Sequence, residues 1–440
     1  MEILVKVAQF LLSLSILVVL HEFGHFLFAR AFKTRVEKFY LFFNPWFEIF
    51  KFKRGDTEYG LGWLPLGGYV KISGMIDESM DKEQMKQPAQ PHEFRSKPAW
   101  QRLLIMTGGV LVNFILALVI YSAVLYVWGE KYIKTENLKY GIACEPLAKE
   151  IGFRNGDKIL FLDGKKIEAF HQVVPTLLLD DVNWVTVERD SQVVEISIPK
   201  EFKSRFIKAA SQQIAPRIPF VISSVQDGSP ANTAGIQPGD SLLAINGEKL
   251  SFYDQFRATM QANKNQQVNV TMWRNGEPVD LTVSVPETGI VGVNNYTLNR
   301  FLEISTSQYS FFASIPAGIS RGLKTFSDYL KQLKLIFSPS TKAYESVGGF
   351  MTIGNIFPST WDWQSFWELT AFLSIILAIM NMLPIPALDG GHVMFLLYEV
   401  ITRRKPHDKF MEYAQIAGMI FILALVIFAN ANDVIKFFFK

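Results

Sequence analysis

Four stretches of this chain stay apolar for about the 20 residues that a bilayer crossing requires, and they are unevenly spaced. They cover residues 4–28, 103–128, 366–383 and 413–429. Asn113 is the one strongly polar residue of the second, whereas Glu368 interrupts the third and Pro384 ends it. Between the second and third stretches the pattern changes from unbroken apolar runs to short alternating ones. Val268-Asn269-Val270-Thr271-Met272-Trp273 alternates as a half-buried strand does and leads into Asn275-Gly276, a hairpin signal. Further on, Ile315, Ile319, Leu323, Phe326, Leu330 and Leu333 recur at helical spacing, with Arg321, Lys324, Lys331 and Lys334 on other faces and Pro339 as a stop. That helix either lies on the outer membrane–water boundary or packs as an ordinary amphipathic helix.

The region between the second and third stretches also repeats itself. Glu145-Pro146-Leu147-Ala148 is followed by Gly152, and then by a run from Gly156-Asp157 to Asp163-Gly164. Ser229-Pro230-Ala231 is followed by Ala234-Gly235, and then by a run of the same length from Gly239-Asp240 to Asn246-Gly247. In each copy Gly-Asp opens a strand that closes on a tight-turn dipeptide. The repeat resembles the PDZ domain, a strand-rich module that binds extended peptide ends at a sheet edge.

Composition fits spans joined to soluble modules: 49% of the 440 residues are hydrophobic. A net charge of +3 without a dense basic block argues against nucleic acid as a partner. The single cysteine, Cys144, excludes an internal disulfide and any multi-cysteine zinc site. Lys6 and the apolar run after it look like a signal peptide. The run continues to Phe28 without a small-x-small cleavage site, so it reads as a retained anchor. Arg30, Lys33, Arg35 and Lys38 follow the first span, Arg95, Lys97 and Arg102 precede the second, and Arg403, Arg404 and Lys405 separate the last two. These loops are expected in the cytoplasm, with the long region after residue 129 outside.

The chemistry sits where charge is least welcome. His21-Glu22-Phe23-Gly24-His25 lies inside the first span, where each charge near the centre costs roughly 2.5–3.5 kcal/mol on insertion scales. On a helix His21 and His25 project from one face, as two ligands of one zinc must, and Glu22 sits one residue round, placed to take a proton from the attacking water. The alternative is a pair of satisfied core histidines. A catalytic zinc needs a third protein ligand. Asn381-Met382-Leu383-Pro384-Ile385-Pro386-Ala387-Leu388-Asp389 breaks the third span, and irregular backbone at membrane depth is tolerated only where it lines a cavity or protein. Asp389 is the expected ligand, His392 its competitor, and an ordinary N-cap the structural alternative for Asp389.

Taken together, the H-E-x-x-H in the first span, Leu388-Asp389-Gly390-Gly391 after a proline-broken span and the outward PDZ-like modules resemble the site-2 protease family, most closely its bacterial RseP-type branch. The resemblance runs across essentially the whole chain. It implies that His21, His25 and Asp389 bind zinc, that Glu22 is the general base, and that Asn381, Pro384 and Pro386 shape the substrate site. Gly67-Gly68-Tyr69-Val70-Lys71-Ile72 is similar to the family's re-entrant β-loop, with Gly68, Tyr69, Val70 and Lys71 as expected substrate contacts; a soluble hairpin on the cytoplasmic face is the alternative. Two departures stand out: Gly108-Gly109-Val110 ahead of Asn113, and Gly348-Gly349-Phe350, each where the family commonly has Gly-Pro.

The expected fold is a polytopic α-helical membrane protein of about four transmembrane helices, with a membrane-associated β-loop and two extracytoplasmic PDZ-like α+β domains. The expected divisions are 1–128 for the first two helices and the β-loop, 129–210 and 211–295 for the PDZ-like domains, 296–365 for an amphipathic connector and 366–440 for the last two helices. The expected activity is a Zn2+-dependent intramembrane endopeptidase in the cell inner membrane. Its partners would be the lipid bilayer and single-span membrane proteins, by resemblance an anti-sigma factor already cut once. A non-catalytic PDZ-bearing scaffold is the alternative. A metal transporter ranks below both, since no further series of intramembrane ligands appears.

Overall fold

The structure is a computed structural model, and it describes residues 2–75, 88–209, 213–339, 341 and 348–439. Two compact units emerge: a helical one from residues 2–129, 308–334 and 348–439, and a strand-rich one centred on Glu130–Ser307.

The helical unit contains α1 (Glu2–Ala31), α2 (Ala99–Trp128), α3 (Phe311–Ile336), α4 (Trp363–Met382), α5 (Asp389–Thr402) and α6 (Asp408–Phe439). Among the described residues, α1, α2, α4 and the Lys409–Phe437 part of α6 are long and apolar enough to cross a membrane. Along α1 the buried residues include Gln9, Ser13, Leu17, His21 and His25, one every four positions, so a single stripe carries both polar ladder and metal motif. Val110 keeps the backbone donor that a proline would lack, and α2 runs unbroken through it.

α3 packs along α2. A Cβ at Gly318 would lie 2.2 Å from Ser122 Oγ, one at Gly322 would meet Leu118 at 2.3 Å, and Phe326 meets Phe114 edge-on. The small residues of its Ser314-Gly318-Gly322 stripe make this contact together with Phe326. Ile315, Ile319, Leu323 and Leu330 remain exposed. This helix thus packs on α2 and keeps a second apolar face.

Between α1 and α2, β1 (Val36–Arg54) and β2 (Thr57–Ile72) form one sheet. Left-handed backbone at Phe42 (φ 66°) and Trp46 (φ 73°) bends β1, and Gly67 (φ 151°) bends β2. Residues 36–41 consequently pair with 68–72 on one side and with 58–61 on the other, while 48–54 pair with 57–62. The 68–72 segment ends up outermost. The hairpin's aromatic residues Trp46, Phe47, Phe50 and Phe52 are exposed.

In the strand-rich unit each repeat forms a four-stranded sheet of the same strand order. The first contains β3 (Lys158–Leu162), β4 (Lys165–Lys166), β5 (Trp184–Arg189) and β6 (Gln192–Ser197), ordered β4-β3-β5-β6. The second contains β7 (Ser241–Ile245), β8 (Glu248–Lys249), β9 (Gln267–Arg274) and β10 (Glu277–Ser284), ordered β8-β7-β9-β10. Asp163-Gly164 and Asn246-Gly247 have left-handed backbone, as two-residue hairpin turns require. Ile214–Pro216 pairs with Ile142–Cys144, and Ile214 is buried in the first repeat's core. Ser305–Ser307 returns to pair with Glu130–Tyr132. The chain thus crosses the expected divisions at 210 and 295 while still adding strands to this unit.

The repeat extends to its buried charges. Arg189 Nε donates to Asp157 Oδ1 at 2.8 Å while its Nη2 donates to Oδ2 and to the Gly152 carbonyl, both at 2.7 Å. Arg274 does the same with Asp240, at 2.7 and 2.6 Å, and with the Gly235 carbonyl at 2.7 Å. Both aspartates are 1% exposed. The paired carboxylates raise the pKa of both guanidinium groups. The Gly-Asp of each motif is thus the carboxylate half of a forked, enclosed ion pair. Asp240→Ala leaves Arg274 without its partner and should cost about 3–5 kcal/mol, read as earlier unfolding and faster proteolysis of this unit in the purified protein. An unchanged midpoint would remove the ion pair from the account of its stability.

Candidate metal centre

The sequence of α4 dictates the site's third component. Pro384 and Pro386 cannot continue a helix, so α4 stops at Met382 and α5 restarts at Asp389. The intervening loop turns back tightly enough to force Ala387 to φ 81°. A Cβ at Gly390 would lie 2.2 Å from Leu383 O, and one at Gly391 would lie 2.6 Å from Pro386 Cα. Both glycines of the Leu-Asp-Gly-Gly motif are therefore required by backbone contact. The N-cap position falls to Leu388, and Asp389 occupies the helix's first turn with its carboxylate directed elsewhere.

It is directed at the two imidazoles. Asp389 Oδ2 lies 3.2 Å from His21 Nε2 and 3.3 Å from His25 Nε2, and the two nitrogens are 3.3 Å apart. Despite this proximity the buried Asp389 Oδ2 makes no hydrogen bond. Three potential metal donors thus converge on one point. Zinc–ligand bonds of about 2.0–2.2 Å at tetrahedral angles put neighbouring donors roughly 3.3–3.5 Å apart, so this triangle has the size that zinc demands. His25 Nδ1 lies 2.9 Å from the Ile105 carbonyl, which can only accept. The ring proton is therefore on Nδ1 and the Nε2 lone pair points inward, the arrangement of a metal-ligating histidine. Among the described residues His21, His25 and Asp389 form the cluster able to hold a metal.

α2 closes the back of the site. A Cβ at Gly24 would lie 2.3 Å from Gly108 O, so α1 and α2 touch backbone to backbone in the middle of the motif. A Cβ at Gly109 would lie 2.5 Å from His25 Nε2 and 2.7 Å from His21 Cε1.

In front lies a cavity of about 430 Å³, lined among others by Glu22, Gly68, Tyr69, Val70 and Lys71 with the three donors. The sheet's outermost segment thus runs along the cavity. Gly68 permits it: a Cβ there would lie 2.7 Å from Tyr40 O, 2.8 Å from Val18 and 3.5 Å from Glu22 Cγ. Asn381 also reaches the centre, with Nδ2 3.3 Å from His21 Nε2. Pro384 and Pro386 are not among the cavity-lining residues; Ala387 and Leu388 are, so the prolines act through the loop they create. His392 lines the cavity but falls outside the donor cluster, with Nε2 3.5 Å from the Gln415 amide.

The sequence profile of peptidase family M50 matches residues 9–425. The chain belongs to peptidase family M50. This is the site-2 protease family that the motifs resemble. The regulator of sigma E protease of Haemophilus influenzae is 28% identical over 99% of this chain and 100% of its own length. The protease RseP of Yersinia pestis is 26% identical over 98% and 99%. A Neisseria meningitidis relative, 30% identical over 97% and 98%, carries a zinc metalloprotease name. M50 membership makes this chain a zinc metalloprotease of regulated intramembrane proteolysis, and with the four apolar helices a multi-pass membrane protein.

Sequence reading missed the glycine at the helix crossing, Gly24, and the back wall at Ile105 and Gly109. The signal was present in Gly24 and in Gly108-Gly109, but only the helix–helix contact gives it meaning. Gly109→Ala should push the imidazoles apart at an overpacking cost of about 1–3 kcal/mol, which corresponds to roughly 5–150-fold weaker zinc binding. Chelator competition on the purified protein measures it, and unchanged affinity would show that α2 does not abut the rings.

Proposed function

We propose that this chain is an intramembrane endopeptidase that cuts the transmembrane segments of single-span membrane proteins, with His21, His25 and Asp389 holding zinc and Glu22 as general base. The donor triangle of 3.2–3.3 Å, enclosed by apolar helices, carries this reading. When bound, zinc supplies Lewis-acid polarisation of the scissile carbonyl and makes the attacking water more acidic. Glu22, on the cavity wall beside both ligand histidines, takes that water's proton on a carboxylate oxygen and passes it to the leaving amine.

The substrate must first be unwound, because a peptide bond inside a helix is shielded by its own turns. Freed backbone groups are costly in lipid unless a strand accepts them. Gly68, Tyr69, Val70 and Lys71, on the outermost sheet segment beside the donors, are placed to add the substrate as a further strand. Asn381, with Nδ2 3.3 Å from His21 Nε2, stands beside the atoms that would hold the metal, while Pro384 and Pro386 shape the loop that bounds the substrate channel. The exposed aromatics of the β1–β2 hairpin suit the membrane interface, as a membrane-associated loop requires.

The repeats, over 129–210 and 211–295 with the strands that each recruits, are in this reading PDZ-like modules that bind or exclude substrate ends. Basic residues flanking the spans support cytoplasmic loops, an inner-membrane location and an extracytoplasmic strand-rich unit. The name of the Haemophilus influenzae relative supports an anti-sigma factor as the substrate class.

Glu22→Gln should retain zinc and lower cleavage of a model transmembrane substrate by about 10²–10⁴-fold. Equal cleavage by variant and parent would overturn the assignment, and no cleavage by either would favour the scaffold. A cysteine at position 69 in the Glu22→Gln background should cross-link to a substrate cysteine near the scissile bond. A substrate that is cut by the parent but never captured there would remove the strand-addition step.

A further inference from the structure

The two zinc-facing rings are treated unequally by α2. His25 donates Nδ1–H to a backbone carbonyl at 2.9 Å, which fixes its tautomer. As a zinc ligand through Nε2, which lies 3.2–3.3 Å from Asp389, His25 and Asn381, His21 must also carry its proton on Nδ1. The group recorded at His21 Nδ1, 3.3 Å away, is the side-chain amide of Asn113, which turns its Nδ2 toward the ring. That sets donor against donor. On the same side chain, Asn113 Oδ1 is buried without a hydrogen-bond partner, and the whole residue is 0% exposed. One rotation resolves the mismatch: turning the amide by 180° exchanges two nearly isosteric atoms and presents Oδ1 to Nδ1–H.

We infer that Asn113 is a positioning residue for the metal centre: its amide oxygen accepts the His21 Nδ1 proton and so fixes the tautomer that leaves Nε2 free for zinc. This rests on the reading of His21 as a zinc ligand. Ile105, Gly109 and Asn113 follow one another at four-residue intervals on α2 and therefore share one face. That face offers a carbonyl to His25, a glycine close against both ring edges, and an amide to His21. The Asn113 main chain is itself held, since Ser374 Oγ on α4 donates to the Asn113 carbonyl at 2.7 Å. A polar side chain fully enclosed in an otherwise apolar span has thereby a specific task. Removing such an outer partner of a ligating histidine typically weakens metal binding by about 10–100-fold.

The test uses the full-length protein in detergent, with zinc affinity measured by competition with a chromophoric chelator. Asn113→Leu, of similar size and well suited to an apolar span, should bind zinc about 10–100-fold more weakly, and Asn113→Ala should do the same. Asn113→Asp, which keeps an acceptor at that position, should hold zinc within a few-fold of the parent. A packing role predicts the reverse order, with leucine tolerated and the buried carboxylate disruptive. Parent-like affinity in Asn113→Leu, or equal losses in the leucine and aspartate variants, would overturn the inference. His21→Ala in the same assay separates the two levels: if it leaves zinc binding intact, the ligand assignment itself fails, whereas its loss alongside parent-like Asn113→Leu removes only the role of Asn113.

Discussion

The metal centre depends on how closely two apolar helices approach each other at Gly24 and Gly108. A Cβ at either glycine would lie within 2.7 Å of the other helix's carbonyl oxygen. In lipid no hydrophobic force drives helices together, and contact of this kind is made by van der Waals packing of small residues. The crossing falls inside the His21–His25 motif. It brings the Ile105 carbonyl within hydrogen-bonding range of one ring and leaves Gly109 against the edges of both. With larger residues at the crossing, the imidazoles would face hydrocarbon with their second nitrogens unsatisfied. That cost is what usually keeps ionisable groups out of membrane spans.

The carboxylate of the donor triangle arrives by a different device. A carboxylate from a continuous helix would have to share its turn with apolar neighbours facing lipid. Here the helix is interrupted for six residues, and the break is closed by short-range bonds: Ile385 N–H donates to Leu383 O at 2.7 Å and Leu388 N–H to Ile385 O at 3.0 Å. Backbone polarity at membrane depth is thus satisfied within the loop. The left-handed Ala387 costs on the order of 1–3 kcal/mol and persists because Gly390, Gly391 and Gly418 let neighbouring backbone clamp the loop from two sides.

Much of this was legible in the sequence, for reasons that differ by element. The spans were visible because bilayer thickness imposes a length on apolar runs, and the ligands because H-E-x-x-H has helical spacing. The repeat showed in Gly-Asp and Asn-Gly signatures, which report local backbone and turn geometry. Its forked Asp–Arg pairs did not show, since Asp157 and Arg189 meet only after two strands have paired. The pairing of Ile214–Pro216 with Ile142–Cys144 across the 210/211 division did not show for the same reason, as strand pairing between distant segments leaves no local mark. α3 was ambiguous because its bulky apolar face and its small-residue stripe predict different partners, and it meets α2 through the stripe together with Phe326. α6 runs on to Phe439, beyond the apolar stretch 413–429 and through Asn430, Asn432 and Asp433. Asp433 caps backbone at Thr352, accepting from its N–H at 3.0 Å, so the helix continues past an apparently polar stop.

A last constraint links these parts. Interhelical hydrogen bonds in membranes contribute on average only about 0.6 kcal/mol each, so Thr370 to Ser13 at 3.0 Å and Ser374 to the Asn113 carbonyl at 2.7 Å are too weak to hold α1, α2 and α4 in place by themselves. They act as register marks. Packing of Ala117, Ile120, Tyr121 and Val124 against Ala371, Ile375 and Ile379 supplies the attraction, and the hydroxyls select one alignment among several that such packing would allow. That alignment places α4's broken end opposite the two imidazoles. The donor triangle is therefore a consequence of helix register as much as of the local motifs.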